Sequence, residues 1–181
     1  MLRHFGYEGC RGTSTPMSTD FASHALLEAE RATPEEMSQY PYLAALRSIM
    51  YLMVLTRPDL AYVISALSQY SSKYMRYHWD ALVRVFQYLQ ETKDLVLQYD
   101  GEDSNDGVYG YSDSDWAGDR ETRRSTTGHC FLMSGAAISW KSCQQPTVAV
   151  SSTEAEYMAL GDATKEALWI RSLTYKLGMD D

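Results

Sequence analysis

Residues Tyr111–Leu160 read YSDSDWAGDRETRRSTTGHCFLMSGAAISWKSCQQPTVAVSSTEAEYMAL, and the periodicity of this stretch decides the fold. In and just before it, the short runs VYGYSDSD, TGHCFLMS, AISWK and TVAV are rich in β-formers, the mark of strands separated by turns. From Ser152 the pattern turns helical, and one long helix is expected to about Leu177. Ser151 followed three residues later by Glu154 has the spacing of a capping box, which starts that helix and gives Glu154 a structural task. The expected unit is three antiparallel strands in meander order with the helix packed on one face.

Upstream the period is different. YLAALRSIMYLMVLT from Tyr42 is apolar on most sides, and Leu60, Val63, Ile64 and Leu67 recur at helical spacing. Thr56 is placed to cap that second helix, with Pro58 in its first turn. A third helix is expected in HWDALVRVFQYLQET, with Trp79, Leu82, Val83, Phe86 and Leu89 on one side. DLVLQY (Asp94–Tyr99) is strand-like, and the acidic run DGEDSNDG (Asp100–Gly107) is the expected boundary between a mainly helical segment, 1–100, and a second domain, 107–181. TSTPMSTDFASH (Thr13–His24) reads as loop. The fold class is α+β / α/β.

Composition limits what such a chain can do. Its 181 residues carry a formal charge of −8, and 45% are hydrophobic, enough for a real core. The charge is −5 before Tyr109 and −3 from there on, so neither part is a basic body that grips nucleic acid over a broad surface. Three cysteines, Cys10, Cys130 and Cys143, share no CxxC spacing, which argues against a disulfide framework or zinc knuckle and for a reducing compartment. MLRHFGYEGCRG has no apolar leader core, and Ser48–Thr56 is too short to cross a bilayer. The expectation is an intracellular chain, cytoplasmic or nuclear, with no membrane partner.

The residues with most chemical content are Asp113 and Asp115, at a strand end, and Glu154 and Glu156, at a helix start. Residues two apart on a strand share a face, so the aspartates point the same way. Carboxylates gathered at element ends suit a hard cation such as magnesium, although turn chemistry alone accounts for an isolated DSD. An EF-hand loop fails because its fifth and twelfth positions hold Ala117 and Arg124. A phosphotransfer DxDx(T/V) motif fails at Ala117 as well. A DxD nucleotide-sugar site fits the spacing, but no nucleotide-binding βαβ unit precedes it. Of the glutamates, Glu156 heads the row Glu156, Leu160, Ala163, Ala167, Ile170, read here as the core-facing stripe. A charge at the head of such a stripe is costly unless paired or metal-bound, which makes Glu156 the better ligand.

The Tyr111–Leu160 string strongly resembles the opening of the ribonuclease H domain in copia-type retrotransposon Pol polyproteins. PYLAALRSIMYLMVLTRPDLAYVISALSQYSSKYMRYHWDALVRVFQYLQETKDLVLQY resembles the segment between the reverse transcriptase palm and that domain, and MLRHFGYEGCRGTSTPMS the stretch just beyond the palm. TRPDLAY, SDSDWAGD and SSTEAEY together make the likeness specific over nearly the whole chain.

The resemblance implies a partial ribonuclease H-like fold and a parent activity that hydrolyses the RNA strand of an RNA–DNA hybrid with two Mg2+ (or Mn2+) ions. It puts the first catalytic and metal-binding aspartate at Asp113 and the glutamate at Glu156, with Asp115 a supporting group of the copia branch. The family's third carboxylate stands on a later strand, in a CDN-like motif that KLGMDD does not reach. The paired aspartates of the polymerase lie upstream in the family. The implied chain is therefore an inactive fragment that binds metal weakly, its partners being the hybrid and the rest of Pol; the alternative is a non-catalytic remnant or interaction module. Arg47 stands where the family has glycine, and local disturbance of packing is expected there. The RETRR run, Arg120–Arg124, is basic enough to touch a nucleic-acid backbone, but Asp119 and Glu121 equally suit a solvated loop.

Overall fold

A computed structural model describes residues 1–19, 21, 37–100 and 107–179. The chain forms two compact units, Met1–Val96 and Leu97–Asp181. Of the expected boundary run Asp100–Gly107, residues 101–106 lie outside the described residues, as do residues 20 and 22–24 of the Thr13–His24 segment.

The first unit is helical. A one-turn helix α1 (Leu2–Phe5) is followed by α2 (Tyr42–Leu55), a 3-10 turn (Pro58–Leu60), α3 (Ala61–Ser68) and α4 (Arg76–Glu91). Tyr42, Ile49, Leu60, Ile64, Leu67, Leu82 and Phe86 are fully buried and form one core. The Tyr42 hydroxyl donates to the Leu67 carbonyl at 2.7 Å, so its one polar atom is satisfied inside that core. Phe5 and Tyr7 stack on Phe86, tying the N-terminal turn to α4. Val85 and Tyr88, rather than Val83, complete the buried face of α4.

Three expectations are corrected here. Thr56 closes α2, its amide donating to the Leu52 carbonyl, and does not cap the next helix, whose 3-10 entry starts from Arg57. Arg47 causes no disturbance, because its position on α2 is exposed to solvent. Asp94–Tyr99 forms no strand. Val96 is 76% exposed and the segment has no ladder partner, so its β-forming residues have no pleated surface to join.

The second unit is a three-stranded antiparallel sheet in the order β1 (Tyr109–Ser114), β2 (Thr126–Met133), β3 (Ala136–Gln144), followed by the helix α5 (Ser152–Leu177). The meander and the helix bounds match the sequence reading. Ser134 (φ 51°) and Gly135 (φ 79°) make the two-residue hairpin turn between β2 and β3, whose twist requires positive φ at both positions. TVAV is not a strand: the chain there is irregular, with Ala149 buried and Val150 85% exposed.

One face of the sheet carries the helix. Thr127, His129 and Phe131 alternate as buried residues on β2, and Phe131 packs with Ala163 and Ile170. Gly110 pairs with Phe131 across the ladder, and a side chain at 110 would collide with the Phe131 ring. Gly110→Ala is therefore expected to destabilise the second unit by about 1–3 kcal/mol through overpacking. Urea unfolding checks it, with Gly110→Ala/Phe131→Leu recovering part of the loss.

Candidate functional site

Register fixes where the aspartates stand. Gly110, Ser112 and Ser114 pair with the buried β2 residues, so the alternate residues Tyr109, Tyr111 and Asp113 lie on the sheet face away from α5. Asp113 is exposed near the end of β1. Asp115, just past the strand, is occupied: its carboxylate accepts the Thr126 amide, its own amide donates to the Thr126 carbonyl, and a side chain at Gly118 would run into it. Asp115 therefore closes the loop between β1 and β2.

The helix start reaches the same end of the sheet through Gln145. This residue is 2% exposed, and its Nε2 donates to Thr127 Oγ1 (3.0 Å) and to the Ala155 carbonyl (2.9 Å). Thr127 pairs with Ser114, so the first turn of α5 stands beside the end of β1. Ser151 Oγ accepts the Glu154 amide at 3.1 Å, and Glu154 reaches back to accept the Val150 amide at 2.7 Å. Glu154 is thus a cap, reaching one residue further back than a standard capping box.

Glu156 is exposed: the expected stripe holds at Ala163, Ala167 and Ile170, but its first two positions are out by one residue. The buried row of α5 is Ala155, Ala159, Ala163, Ile170 and Thr174, while Leu160 is 52% exposed. Small alanines let the helix close on the sheet, and Gln145 pins Ala155 inward. The burial argument for Glu156 therefore falls. What remains is its place near the start of α5, which stands at the end of the sheet where Asp113 lies. Among the described residues no group of three or more His, Cys, Asp and Glu side chains is gathered to hold a metal. Magnesium seeks six oxygens in octahedral geometry, and the carboxylates present do not complete such a centre.

Polar contacts between sheet and helix were not foreseen. Lys141 donates to Asp162 at 2.7 Å, and Ser139 to Glu166 at 2.6 Å. His129 lies 3.9 Å from Asp162 with its Nδ1 buried and unbonded, and burial lowers its pKa despite the nearby carboxylates. In the first unit, the Arg57 and Asp59 of TRPDLAY form a clamp with Tyr88 and Thr92. Arg57 donates to Asp59 (Nη2 to Oδ2, 2.7 Å) and to Thr92 Oγ1 (2.7 Å), and Tyr88 donates to Asp59 at 2.8 Å. Arg and Asp two residues apart beside a proline were the available sign; the partners lie about thirty residues on.

The retrovirus-related Pol polyprotein from transposon TNT 1-94 of Nicotiana tabacum is 40% identical over 169 residues, covering 91% of this chain and 13% of the polyprotein. That from transposon RE2 of Arabidopsis thaliana is 37% identical over 169 residues, 92% of this chain and 11% of its own length. The chain belongs to the copia-type retrotransposon Pol family. It corresponds to one short segment of these polyproteins. A third member of this sequence group, the secreted RxLR effector protein 161 of Plasmopara viticola, is 53% identical over 134 residues, which are 74% of this chain and 94% of that protein. No family model and no solved structure matches this Pol segment. Among its described residues no helix is long and apolar enough to cross a membrane.

Proposed function

We propose that residues 107–181 are the opening of a ribonuclease H-like domain and residues 1–100 the connection that joins it to the reverse transcriptase palm in Pol. The observation that carries this reading is the order of elements around the acidic pair. A three-stranded meander feeds a 26-residue helix, with Asp113 near the end of the first strand and Glu156 as the fifth residue of the helix. In the parent polyprotein the substrate is an RNA–DNA hybrid, and Asp113 and Glu156 are two of the ligands of its Mg2+ or Mn2+ ions. Two-metal hydrolysis needs ligands for a pair of ions roughly 3.5–4 Å apart, and these two carboxylates do not supply them. Within these 181 residues they form an incomplete site, and no hydrolytic step is assigned to them.

The expected result is that the purified 181-residue chain does not cut a labelled RNA–DNA hybrid in magnesium or manganese, as read on a gel. Cleavage that disappears in Asp113→Asn would overturn this and show the two carboxylates to be competent.

A second reading, a non-catalytic interaction module, is favoured by the Plasmopara viticola protein, which this sequence matches over 94% of its length. A stretch that makes up nearly the whole of another protein serves there without the rest of Pol. Calorimetric titration with manganese separates the two. Weak binding lost in Asp113→Asn and in Glu156→Gln supports the ribonuclease H reading; no binding, or binding indifferent to both variants, supports the module.

A further inference from the structure

The loop between β1 and β2 carries three of the seven Lys and Arg residues of the second unit, Arg120, Arg123 and Arg124. Set among them are Glu121 and the carboxylate of Asp119. That carboxylate is turned inward: Oδ1 accepts the amides of Glu121 (2.9 Å) and Thr122 (2.8 Å), and Oδ2 accepts Gln144 Nε2 at 2.6 Å. The Asp119 amide and carbonyl also bond Arg124 and Arg123, and Ser125, fully buried, accepts the Ala117 amide at 3.0 Å. The loop is therefore fixed to the end of the sheet. Arg120 and Arg123 are exposed and Arg124 half-buried, and among the described residues none of the three guanidinium groups has an ion pair or hydrogen bond. Glu121 is the exposed carboxylate beside them.

Two further features belong to the same loop. Arg123 holds φ at 58°, a conformation that glycine or asparagine adopts at lower cost than arginine, so the loop carries a charge where backbone preference asks for none. Trp116, in the same loop, is 55% exposed, yet its Nε1 donates to the Ala149 carbonyl at 3.2 Å, which anchors the indole while leaving part of its ring open. An anchored aromatic ring and unpaired guanidinium groups in one loop are the combination that holds a nucleic-acid strand by phosphate contact and stacking. An anionic membrane surface would use the charges but has no need of an anchored ring. The chain's charge of −8 repels a polyanion elsewhere, so the loop also sets the direction of approach, toward the end of the sheet that carries Asp113.

We infer that the 115–125 loop is a nucleic-acid contact, with Arg120, Arg123 and Arg124 on backbone phosphates and the free face of Trp116 stacked on a base. This inference is independent of the cleavage reading, because it needs neither a metal nor Asp113.

The test is fluorescence anisotropy of a labelled RNA–DNA hybrid with the 181-residue chain in EDTA, across a salt series. Three phosphate contacts give a slope of about 2.7 in log Kd against log salt, or roughly 40-fold weakening between 50 and 200 mM. Arg120→Gln/Arg123→Gln/Arg124→Gln is expected to bring that slope near zero, and each single change to lower it by about 1. Arg123→Gly relieves the positive φ, so it is expected to weaken binding with no loss of thermal stability. Lys165→Gln/Arg171→Gln/Lys176→Gln makes the same charge change on exposed positions of α5 and is expected to bind nearly as the parent does. The inference is overturned if the parent does not bind at 50 mM salt, or if the α5 variant loses as much as the loop variant. It is equally overturned if the arginines prove necessary for binding phosphatidylserine vesicles but not the hybrid.

Discussion

Arg57→Met is expected to cost the first unit about 3–5 kcal/mol, as breaking one side of a buried ion pair does. Arg57 is 7% exposed and holds both the Asp59 carboxylate and Thr92, while Tyr88 supplies a further donor to Asp59 and lies under the guanidinium at 5.5 Å. Burial alone would raise the Asp59 pKa, but the hydrogen bonds from Arg57 and Tyr88 outweigh it and the net shift is downward. A depressed folded-state pKa means that this contribution is complete above the ordinary aspartate range and is lost as pH falls through the lowered value. Without Arg57 a charge is left half-buried with only a tyrosine to hold it. The loss should be read from urea unfolding followed by helical circular dichroism. Arg57→Met/Asp59→Leu removes both charges and is expected to cost less than Arg57→Met alone, because no uncompensated carboxylate remains. A double variant no more stable than the single one would show that the clamp acts by packing, not by charge.

Acidification is expected to weaken the same unit through His78. Its ring is 1% exposed, between Tyr70 and Tyr77 with centroids 3.9 Å away on each side. Met75 has no side-chain oxygen with which to cap α4, and His78 Nδ1 instead accepts the Met75 amide at 2.8 Å. That bond requires an unprotonated Nδ1, and Nε2 is buried without a partner. Burial lowers the pKa from 6.5 to about 4. The unfolded chain takes up the proton near 6.5 and the folded one only near 4. Stability is therefore complete above 6.5 and falls through this window, by about 3 kcal/mol once pH is below 4. His78→Gln keeps an acceptor for the Met75 amide and removes the titration. The difference in urea midpoint between pH 7.5 and pH 4.5 should shrink markedly in that variant. An equal acid loss in parent and variant would assign the effect to other groups.

Both sites show how far the sequence can be read. TRPDLAY stood out as a family motif, but its physical task was hidden, because Tyr88 and Thr92 come from a helix that approaches only after folding. Trp79 was expected on the buried face of its helix and stands there, since a helical stripe is a property of consecutive residues. Asp113 and Glu156 were singled out by motif and spacing, whereas the burial argument for Glu156 was out of phase by one residue. Leu160, Leu168 and Tyr157 on the solvent side of α5 are as apolar as the residues beneath it, so hydrophobic contrast could not choose the face.

The sequence by itself determined that helices come first, then a three-strand meander, then one long helix, because periods of 3.6 and 2 are properties of consecutive residues. It also determined the helix cap at Ser151 and Glu154 and the family to which the chain belongs. Only the tertiary structure decided which face of β1 carries Asp113, since that follows from Phe131 seating itself over Gly110 across the ladder. It alone turned Asp119 inward and left the three arginines of its loop unpaired. The partners in each case are separated by many residues of chain, and local pattern holds no record of who meets whom.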